Sequence, residues 1–264
     1  MRGKDIMKRN FKFILSYDGS RYYGWEHQPN TELTIQGKLE QVLTRMQFGE
    51  DFKIKDFASF PITVIGAGRT DAGVHARAMT ANALLDTDKT SDEVRQYMNR
   101  YLPEDISIND CKECSERFHA RFKASGKTYR YTCWFSAEKP VFERKYVTVL
   151  EQHPDIAAME QAAKLLMGTH DFKSFCGNPH MKKSTVRTVD SISITENGPY
   201  IRFYYHGDGF LQNMVRILTG TLIEVGMHKR TPESMLGILE AKDRTKAGYT
   251  MEPGGLCLMK VDYD

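Results

Sequence analysis

Asp71 is the residue of this sequence whose neighbours best suit it for chemistry. It lies in the run GAGRTDAGVH, residues 66–75, among glycines and other small residues, and Arg69 precedes it by two positions. A cation close to a carboxyl group favours its ionised form. Ionised carboxylates serve in proteins as nucleophiles, as general bases or as metal ligands, and the residues by themselves leave these three roles open.

The glycines of this run do not form a nucleotide-binding motif. A dinucleotide fingerprint requires a third glycine at the position of Asp71, whose carboxylate would repel a pyrophosphate. A Walker loop requires Gly-Lys-Ser/Thr, which does not follow. Taken alone, Gly66 and Gly68 are more typical of a turn that needs positive φ than of a binding site.

The elements before and after this run alternate between strands and helices. Apolar residues recur with a period of two in the strands and on one face in the helices. Strands are predicted over residues 11–17, 62–68, 79–87 and 106–110, and helices over residues 34–46 and 91–103. Ser91 is the predicted N-cap of the second helix. The run around Asp71 therefore lies in the connection between two strands.

The second half of the chain repeats this order with different residues. Strands are predicted over residues 127–135, 189–195, 200–207 and 254–263, and helices over residues 154–168, 210–226 and 231–244. An Asn-Gly turn joins the two middle strands as a hairpin. Two β-α-β-β-α-β units in tandem predict an α+β protein of two ferredoxin-like halves. We divide the chain into residues 1–110, which carry the Asp71 loop, and residues 111–264, with the junction near Cys111.

The composition excludes some classes of protein and permits others. The 264 residues are 41% hydrophobic and 27% charged, and no apolar run is long enough to cross a bilayer. Five irregularly spaced cysteines indicate reduced thiols and a cytoplasmic protein. The formal net charge of +3 permits an anionic partner without requiring one.

The sequence resembles the TruA-type tRNA pseudouridine synthases. GAGRTDAGVHA resembles the catalytic-aspartate signature of that family, and further segments match it in the same order. These are YDGSRYYGWEHQPN, TIQGKLE, FHARFKASGKTYRY, GTHDFKSF, FLQNMVRILTG and KDRTKAGYTMEPGGLCLMKVDY. The resemblance implies a pseudouridine synthase fold with a central antiparallel sheet and a catalytic cleft between the halves. It also implies isomerisation of uridine to pseudouridine in the anticodon arm of tRNA.

The resemblance assigns roles to individual residues. Asp71 is the implied nucleophile, and Arg69 lines the RNA path beside it. Tyr129 stacks on the target base, and Leu256 packs against it. Arg216 pairs with Asp71 and keeps it ionised and oriented.

The resemblance implies no cofactor and no metal, and its partners are tRNA and a second copy of the chain. Arg77, Arg121 and Lys127 are the predicted substrate-binding cations. Further candidates for phosphate contacts are Arg117, Lys123, Arg130, Lys182, Lys183, Arg187, Lys242, Arg244 and Lys246. The homodimer is also favoured because residues 210–226 form a helix that is apolar nearly all round, which either the core or a partner must bury. No contact with a membrane is expected.

Two other functions are compatible with parts of this sequence. A non-catalytic RNA-binding protein on the same scaffold is disfavoured by the presence of Asp71, Tyr129 and Arg216. A metal-dependent phosphotransfer enzyme is disfavoured because no second carboxylate cluster lies near Asp71 in the sequence. The family pattern is not followed at residues 77–79 and at Cys257, and a synthase with another choice of RNA site is therefore a further alternative.

Two motifs near these residues are assigned no chemistry. Cys111 and Cys114 form one C-x-x-C with His119 beyond it, but a structural zinc site requires a second pair of ligands. His75 follows the Asp71 loop, and we expect it to pack or to form hydrogen bonds rather than to act as a base.

Overall fold

The computed structural model describes residues 8–49, 51–52 and 59–264. The chain forms two compact units, Met1–Ala124 with Tyr263–Asp264, and Ser125–Asp262. The junction expected near Cys111 falls inside the strand Ile106–Cys114, which pairs with Arg9–Tyr17 up to Cys114. This pairing retains the strand in the first unit.

The first unit has the predicted β-α-β-β-α-β order. Its elements are β1 (Arg9–Tyr17), α1 (Ile35–Phe48), β2 (Ile65–Gly66), β3 (His75–Leu85), α2 (Ser91–Tyr101) and β4 (Ile106–Cys114). The strands are ordered β4-β1-β3-β2, and each neighbouring pair is antiparallel. This is the strand order of a ferredoxin-like unit.

The predicted alternation in β1 is confirmed, since Phe11, Phe13, Leu15 and Tyr17 are all buried. Strand β3 begins at His75, four residues before the predicted start, because its first residues still pair with the end of β1. Strand β2 is shorter than predicted and contains two residues.

The N-cap of α2 is Thr90 and not Ser91. The Thr90 side chain accepts the Glu93 N–H, and the Glu93 carboxylate accepts the Thr90 N–H, which forms a capping box. The Ser91 hydroxyl instead accepts the N–H of Glu113 on β4 at 3.1 Å. Serine and threonine can both cap a helix, but here the Ser91 hydroxyl is bonded to the neighbouring strand β4.

The second unit repeats the ferredoxin-like order with additions. Its elements are β5 (Ala124–Trp134), β6 (Thr148–Val149), α3 (Ile156–Leu165), β7 (Gly168–Asp171), β8 (Val186–Asn197), β9 (Tyr200–Gly207), α4 (Met214–Gly226), α5 (Ser234–Ala241) and β10 (Leu256–Tyr263). Its strands are ordered β10-β5-β9-β8-β7, with β6 beside β5. Strands β10, β5, β9 and β8 repeat the order seen in the first unit. The short strands β6 and β7 were not predicted.

Two local details of the second unit differ from the sequence prediction. The hairpin turn between β8 and β9 consists of Gly198 and Pro199, with Asn197 still paired to Tyr200. Helix α4 begins at Met214, because Asn213 has a left-handed φ of 59° that is incompatible with a helix.

Helix α4 is covered by its own chain. Apart from Arg216 and Glu224, its residues are buried, and it packs against α3. The apolar character of this helix is therefore explained by the core and gives no support to a dimer. None of the helices within the described residues has both the length and the apolar character that a membrane span requires.

Candidate active site

Asp71 lies in the irregular connection between β2 and β3, as predicted, and is half-buried. The Asp71 carbonyl accepts the Val74 N–H at 3.1 Å, which closes a tight turn. The third residue of that turn, Gly73, has a φ of 78°, a value that glycine adopts without strain. The glycine required for backbone conformation is thus Gly73, while Gly66 and Gly68 do not have positive φ.

Gly66 is required for a close contact. A Cβ atom at this position would lie 2.4 Å from the indole ring of Trp25. Trp25 is 3% exposed, and its ring also lies 6.2 Å from that of Tyr17. The indole therefore fixes the backbone at the entrance to the Asp71 loop.

The segment of residues 17–25 holds the other side of the loop. The Trp25 N–H donates to the Thr70 carbonyl at 3.0 Å, and the Gly73 N–H donates to the Tyr22 carbonyl at 3.2 Å. The hydroxyls of Tyr17 and Thr70 lie 2.9 Å apart in a buried hydrogen bond. Thr70 and Gly73, on either side of Asp71, are thus bonded to one segment, which restricts where the carboxylate can lie.

His75 supports the same segment and is buried. Its Nδ1 accepts the Gly19 N–H at 3.0 Å, and Asp18 Oδ1 lies 3.1 Å from the same nitrogen. A nitrogen that accepts an N–H has no hydrogen to give to a carboxylate, and Asp18 Oδ1 accepts the Ser20 N–H at 2.9 Å. The hydrogen-bonding role expected for His75 agrees with this geometry.

Arg69 forms an ion pair with Glu26. Arg69 Nη2 donates to Glu26 Oε1 at 2.5 Å, and the two side chains are 61% and 49% exposed. The sequence suggested that Arg69 keeps Asp71 ionised, and this stays a prediction, since the ion-pair partner that the structure gives for Arg69 is Glu26. Sequence reasoning missed Glu26, because no spacing pattern connects residues that are 43 positions apart.

The second unit carries Tyr129, Arg216 and Leu256. Tyr129 lies on β5 and is 8% exposed, and its ring contacts Phe210 edge to face at 5.3 Å. Leu256 is the first residue of β10 and is buried. Both side chains are thus held by strands rather than by loops.

Arg216 lies in the first turn of α4 and is anchored on both sides. Its Nε donates to the Met251 carbonyl at 2.6 Å, and its Nη1 donates to Asn213 Oδ1 at 2.9 Å. The Met251 N–H donates in return to the Arg216 carbonyl at 3.3 Å. The left-handed Asn213 brings its own side chain back towards the guanidinium, and this fixes the direction of Arg216.

The predicted phosphate-binding cations differ in their surroundings. Arg77 and Arg121 are exposed and Lys127 is half-buried. Lys242 forms an ion pair with Asp171 at 3.0 Å. Arg244 donates to the Gly248 carbonyl at 2.9 Å, and burial lowers its pKa. Its bonds support the loop that follows α5.

The two cysteines of the C-x-x-C motif cannot act as a ligand pair as they stand. Cys111 and Cys114 lie three residues apart on β4, and neighbouring residues of a strand alternate between its faces, so their side chains point to opposite faces. Burial raises the pKa of Cys111 to about 12. Within the part of the chain that the structure describes, no group of three or more His, Cys, Asp or Glu side chains is arranged to hold a metal ion.

The chain matches a known family along most of its length. The family model described as tRNA pseudouridine synthase matches residues 14–123 and 162–264. The tRNA pseudouridine synthase A of Bacillus sp. (strain KSM-64) is 44% identical, over 96% of this chain and 99% of that protein. The tRNA pseudouridine synthase A 1 of Clostridium tetani (strain Massachusetts / E88) is also 44% identical, over 97% of this chain and 100% of that protein. The tRNA pseudouridine synthase A 2 of Clostridium perfringens (strain 13 / Type A) is 39% identical, over 97% and 100%. The chain therefore belongs to the tRNA pseudouridine synthase family.

Proposed function

We propose that this protein isomerises uridine to pseudouridine in the anticodon arm of tRNA, with Asp71 as the nucleophile. The observation that carries the proposal is the Asp71 loop itself, in a chain of the tRNA pseudouridine synthase family. Hydrogen bonds to Thr70 and Gly73 hold this loop from both sides. A half-buried carboxylate on a loop held in this way is suited to repeated attack on one atom of a substrate.

The reaction requires no group that the protein does not supply. The bond between uracil N1 and ribose C1′ breaks, the uracil turns, and a bond forms between C5 and C1′. The C5 hydrogen leaves as a proton and N1 gains a proton, so no electrons are gained or lost overall. Asp71 acts either at the uracil ring or at the ribose.

The second unit supplies the groups that restrain the detached base. Tyr129 is the proposed stacking partner, and its edge-to-face contact with Phe210 fixes its ring plane. Leu256 is the proposed apolar contact with the base. Arg216 is the proposed partner of Asp71, and its bonds to Met251 and Asn213 support that role because they use two of its five N–H donors to orient the guanidinium.

Contacts with the RNA backbone complete the proposal. A uridine in a stem must leave the base stack before it can react, at a cost of about a few kcal/mol. Arg77, Arg121 and Lys127 are the proposed phosphate contacts that offset this cost. The enzyme is proposed to work in the cytoplasm, where tRNA is found.

We also propose a homodimer, on grounds other than helix α4. Val141, Phe142, Tyr146 and Val149 are between 46% and 86% exposed and lie on one short segment of the second unit. Apolar side chains grouped in this way are typical of a protein contact. Light scattering at micromolar concentration should give twice the mass of 30.3 kDa, and a monomer mass with full activity would refute the dimer.

One experiment tests the catalytic proposal. The purified protein is incubated with tRNA that carries tritium at C5 of its uridines, and released tritium is counted while the modified positions are mapped. We expect release from uridines of the anticodon arm, unchanged by excess chelator. Loss of activity in chelator would instead favour a metal-dependent enzyme, and binding without release would favour the non-catalytic RNA-binding protein.

A further inference from the structure

A pocket with a volume of about 230 Å³ lies in the first unit beside the Asp71 loop. Its walls include Trp25, Glu26, Arg69, His119, Arg121 and Phe122. Sites for drug-sized ligands typically have volumes of about 300–1,000 Å³. The pocket therefore suits one small flat group. Because Arg69 is among its walls, it lies next to the loop that carries Asp71.

A pair of stacked rings, one half-buried and one exposed, forms one wall. The rings of His119 and Phe122 lie 4.1 Å apart with an angle of 23° between their planes, and Phe122 is 79% exposed. The turn beneath them is well ordered by hydrogen bonds, since His119 Nδ1 accepts the N–H groups of both Arg121 and Phe122 at 3.2 Å. An aromatic ring that is fixed and largely exposed is a suitable surface for a nucleobase to stack on.

Two cations in the pocket wall, Arg121 and Arg69, can bind an anion. Arg121 is exposed, and its guanidinium has no ion-pair partner among the residues that the structure describes. Arg69 is bound to Glu26, but both side chains are largely exposed, and such surface pairs are weak. A phosphate that enters the pocket can therefore take Arg69 from Glu26.

The floor of the pocket is formed before any ligand arrives. Gln36 and Val64 line it, and the side chain of Gln36 donates to the Val64 carbonyl at 3.0 Å. The buried Glu40 accepts the Val64 N–H at 2.9 Å and the Gln36 side chain at 3.0 Å. Because these polar groups satisfy one another, the floor needs no rearrangement to receive a base.

We propose that this pocket binds one unpaired nucleotide of the RNA next to the target uridine. Its base stacks on Phe122, and its phosphate binds Arg121 and the Arg69 that leaves Glu26. The inference rests on the proposed function and adds to it a second contact with the RNA. At this contact a base stacks on an aromatic ring and does not react.

The test measures the affinity of the full-length protein for a fluorescently labelled anticodon stem-loop RNA. We expect Phe122→Ala to weaken binding about tenfold and Phe122→Trp to preserve it. The matched control is Phe48→Ala, since Phe48 is 48% exposed, has its ring 5.1 Å from that of Phe52 and does not line the pocket. Equal affinities of Phe122→Ala and Phe48→Ala would overturn the proposal.

A second measurement identifies the nucleotide. The RNA is synthesised with one abasic position at a time and bound to the wild type and to Phe122→Ala. One abasic position should weaken binding to the wild type about tenfold yet cause no further loss with Phe122→Ala, because both changes remove the same stack. If the losses of binding free energy from the abasic position and from Phe122→Ala were additive at every position, no base would stack on Phe122.

A third variant tests the release of Arg69. Glu26→Gln removes the competing carboxylate and should strengthen RNA binding by up to about fivefold. Weaker binding would exclude Arg69 as a phosphate contact.

Tritium release by the wild type is measured in parallel. Normal release without coupling between Phe122 and any nucleotide would refute the pocket alone, whereas coupling without release would refute the proposed function alone.

Discussion

Gly24 and Thr70 approach so closely that no side chain fits between them. A Cβ atom on Gly24 would lie 2.7 Å from the Thr70 carbonyl oxygen and 3.3 Å from the carbonyl carbon of Asp71. Gly24 also has a φ of 97°. The segment before α1 thus lies directly against the backbone of Asp71, the proposed nucleophile.

We predict that Gly24→Ala lowers the rate of pseudouridine formation at least about tenfold, because the added methyl group displaces Thr70 and with it Asp71. Gly49→Ala is the matched control, since Gly49 has a φ of 95° but no atom of the residues that the structure describes lies within 4 Å of its Cβ position. Both variants should lose about 1–3 kcal/mol of stability from backbone strain. Rates and urea denaturation are compared, and an equal loss of activity in both would contradict the close contact.

Asp71→Asn should abolish pseudouridine formation and leave RNA affinity within about tenfold of the wild type. The amide keeps the shape of the side chain but cannot act as a nucleophile. Tritium release and binding of the stem-loop RNA are measured on the same preparation. Turnover by the variant at the wild-type rate would remove Asp71 from the mechanism.

Arg216→Met should reduce the catalytic rate far more than RNA affinity, because it leaves Asp71 without its proposed partner. The variant also leaves the Met251 carbonyl and Asn213 without a donor, so stability should fall by about 1–3 kcal/mol. Single-turnover rates are therefore measured at a temperature where circular dichroism shows the variant folded. Lys182→Met, the loss of an exposed cation, is the control. A loss confined to affinity would make Arg216 a phosphate contact.

The elements with clear periodicity could be predicted from the sequence. Phe11, Phe13, Leu15 and Tyr17 alternate along β1 because one face of the strand is buried. Strands β6 and β7 could not be predicted, because segments of two and four residues are too short to show a period. The left-handed Asn213 was missed for a different reason, since asparagine adopts a positive φ more often than most residues but still only in a minority of cases.

Some residues of the candidate site could likewise be predicted from the sequence, and others could not. Asp71 could be found because its signature is a continuous run of residues. The residues that hold it could not, because Gly24 and Trp25 precede Asp71 by more than forty positions and approach its loop only in the folded chain. The ion pair of Arg69 with Glu26 could not be predicted either, because the two residues are 43 positions apart in the sequence.

Asp105 should make the stability of the first unit depend on acid pH. It accepts hydrogen bonds from the hydroxyl of Tyr22 at 2.6 Å and from Arg21 at 3.1 Å. Burial opposes ionisation of Asp105, but these bonds outweigh it and lower its pKa below 3.8. Because the pKa is lower in the folded state, the stabilisation is present above pH 3.8 and is lost as the pH falls through the folded-state pKa.

Asp105→Asn should therefore flatten the dependence of stability on pH below about 4, and it should destabilise the protein at neutral pH. Urea denaturation at a series of pH values measures this. Asp110→Asn is the control, because the Asp110 carboxylate is 41% exposed and pairs with the exposed Lys112. An unchanged acid profile in Asp105→Asn would show that other groups account for acid unfolding.

The affinity for tRNA should fall steeply with salt, and single cations should account for separate parts of that slope. Each neutralised phosphate releases counterions and adds about one unit to the slope of log affinity against log salt concentration. Arg121 is exposed without an ion-pair partner among the described residues, so Arg121→Gln should reduce the slope by about one unit. Lys242 is already paired with Asp171 at 3.0 Å, so Lys242→Gln should change it less. Binding is titrated from low to high salt for both variants. A larger change of the slope in Lys242→Gln than in Arg121→Gln would contradict this prediction, because it would show that the paired lysine contacts the RNA backbone more than the exposed arginine does.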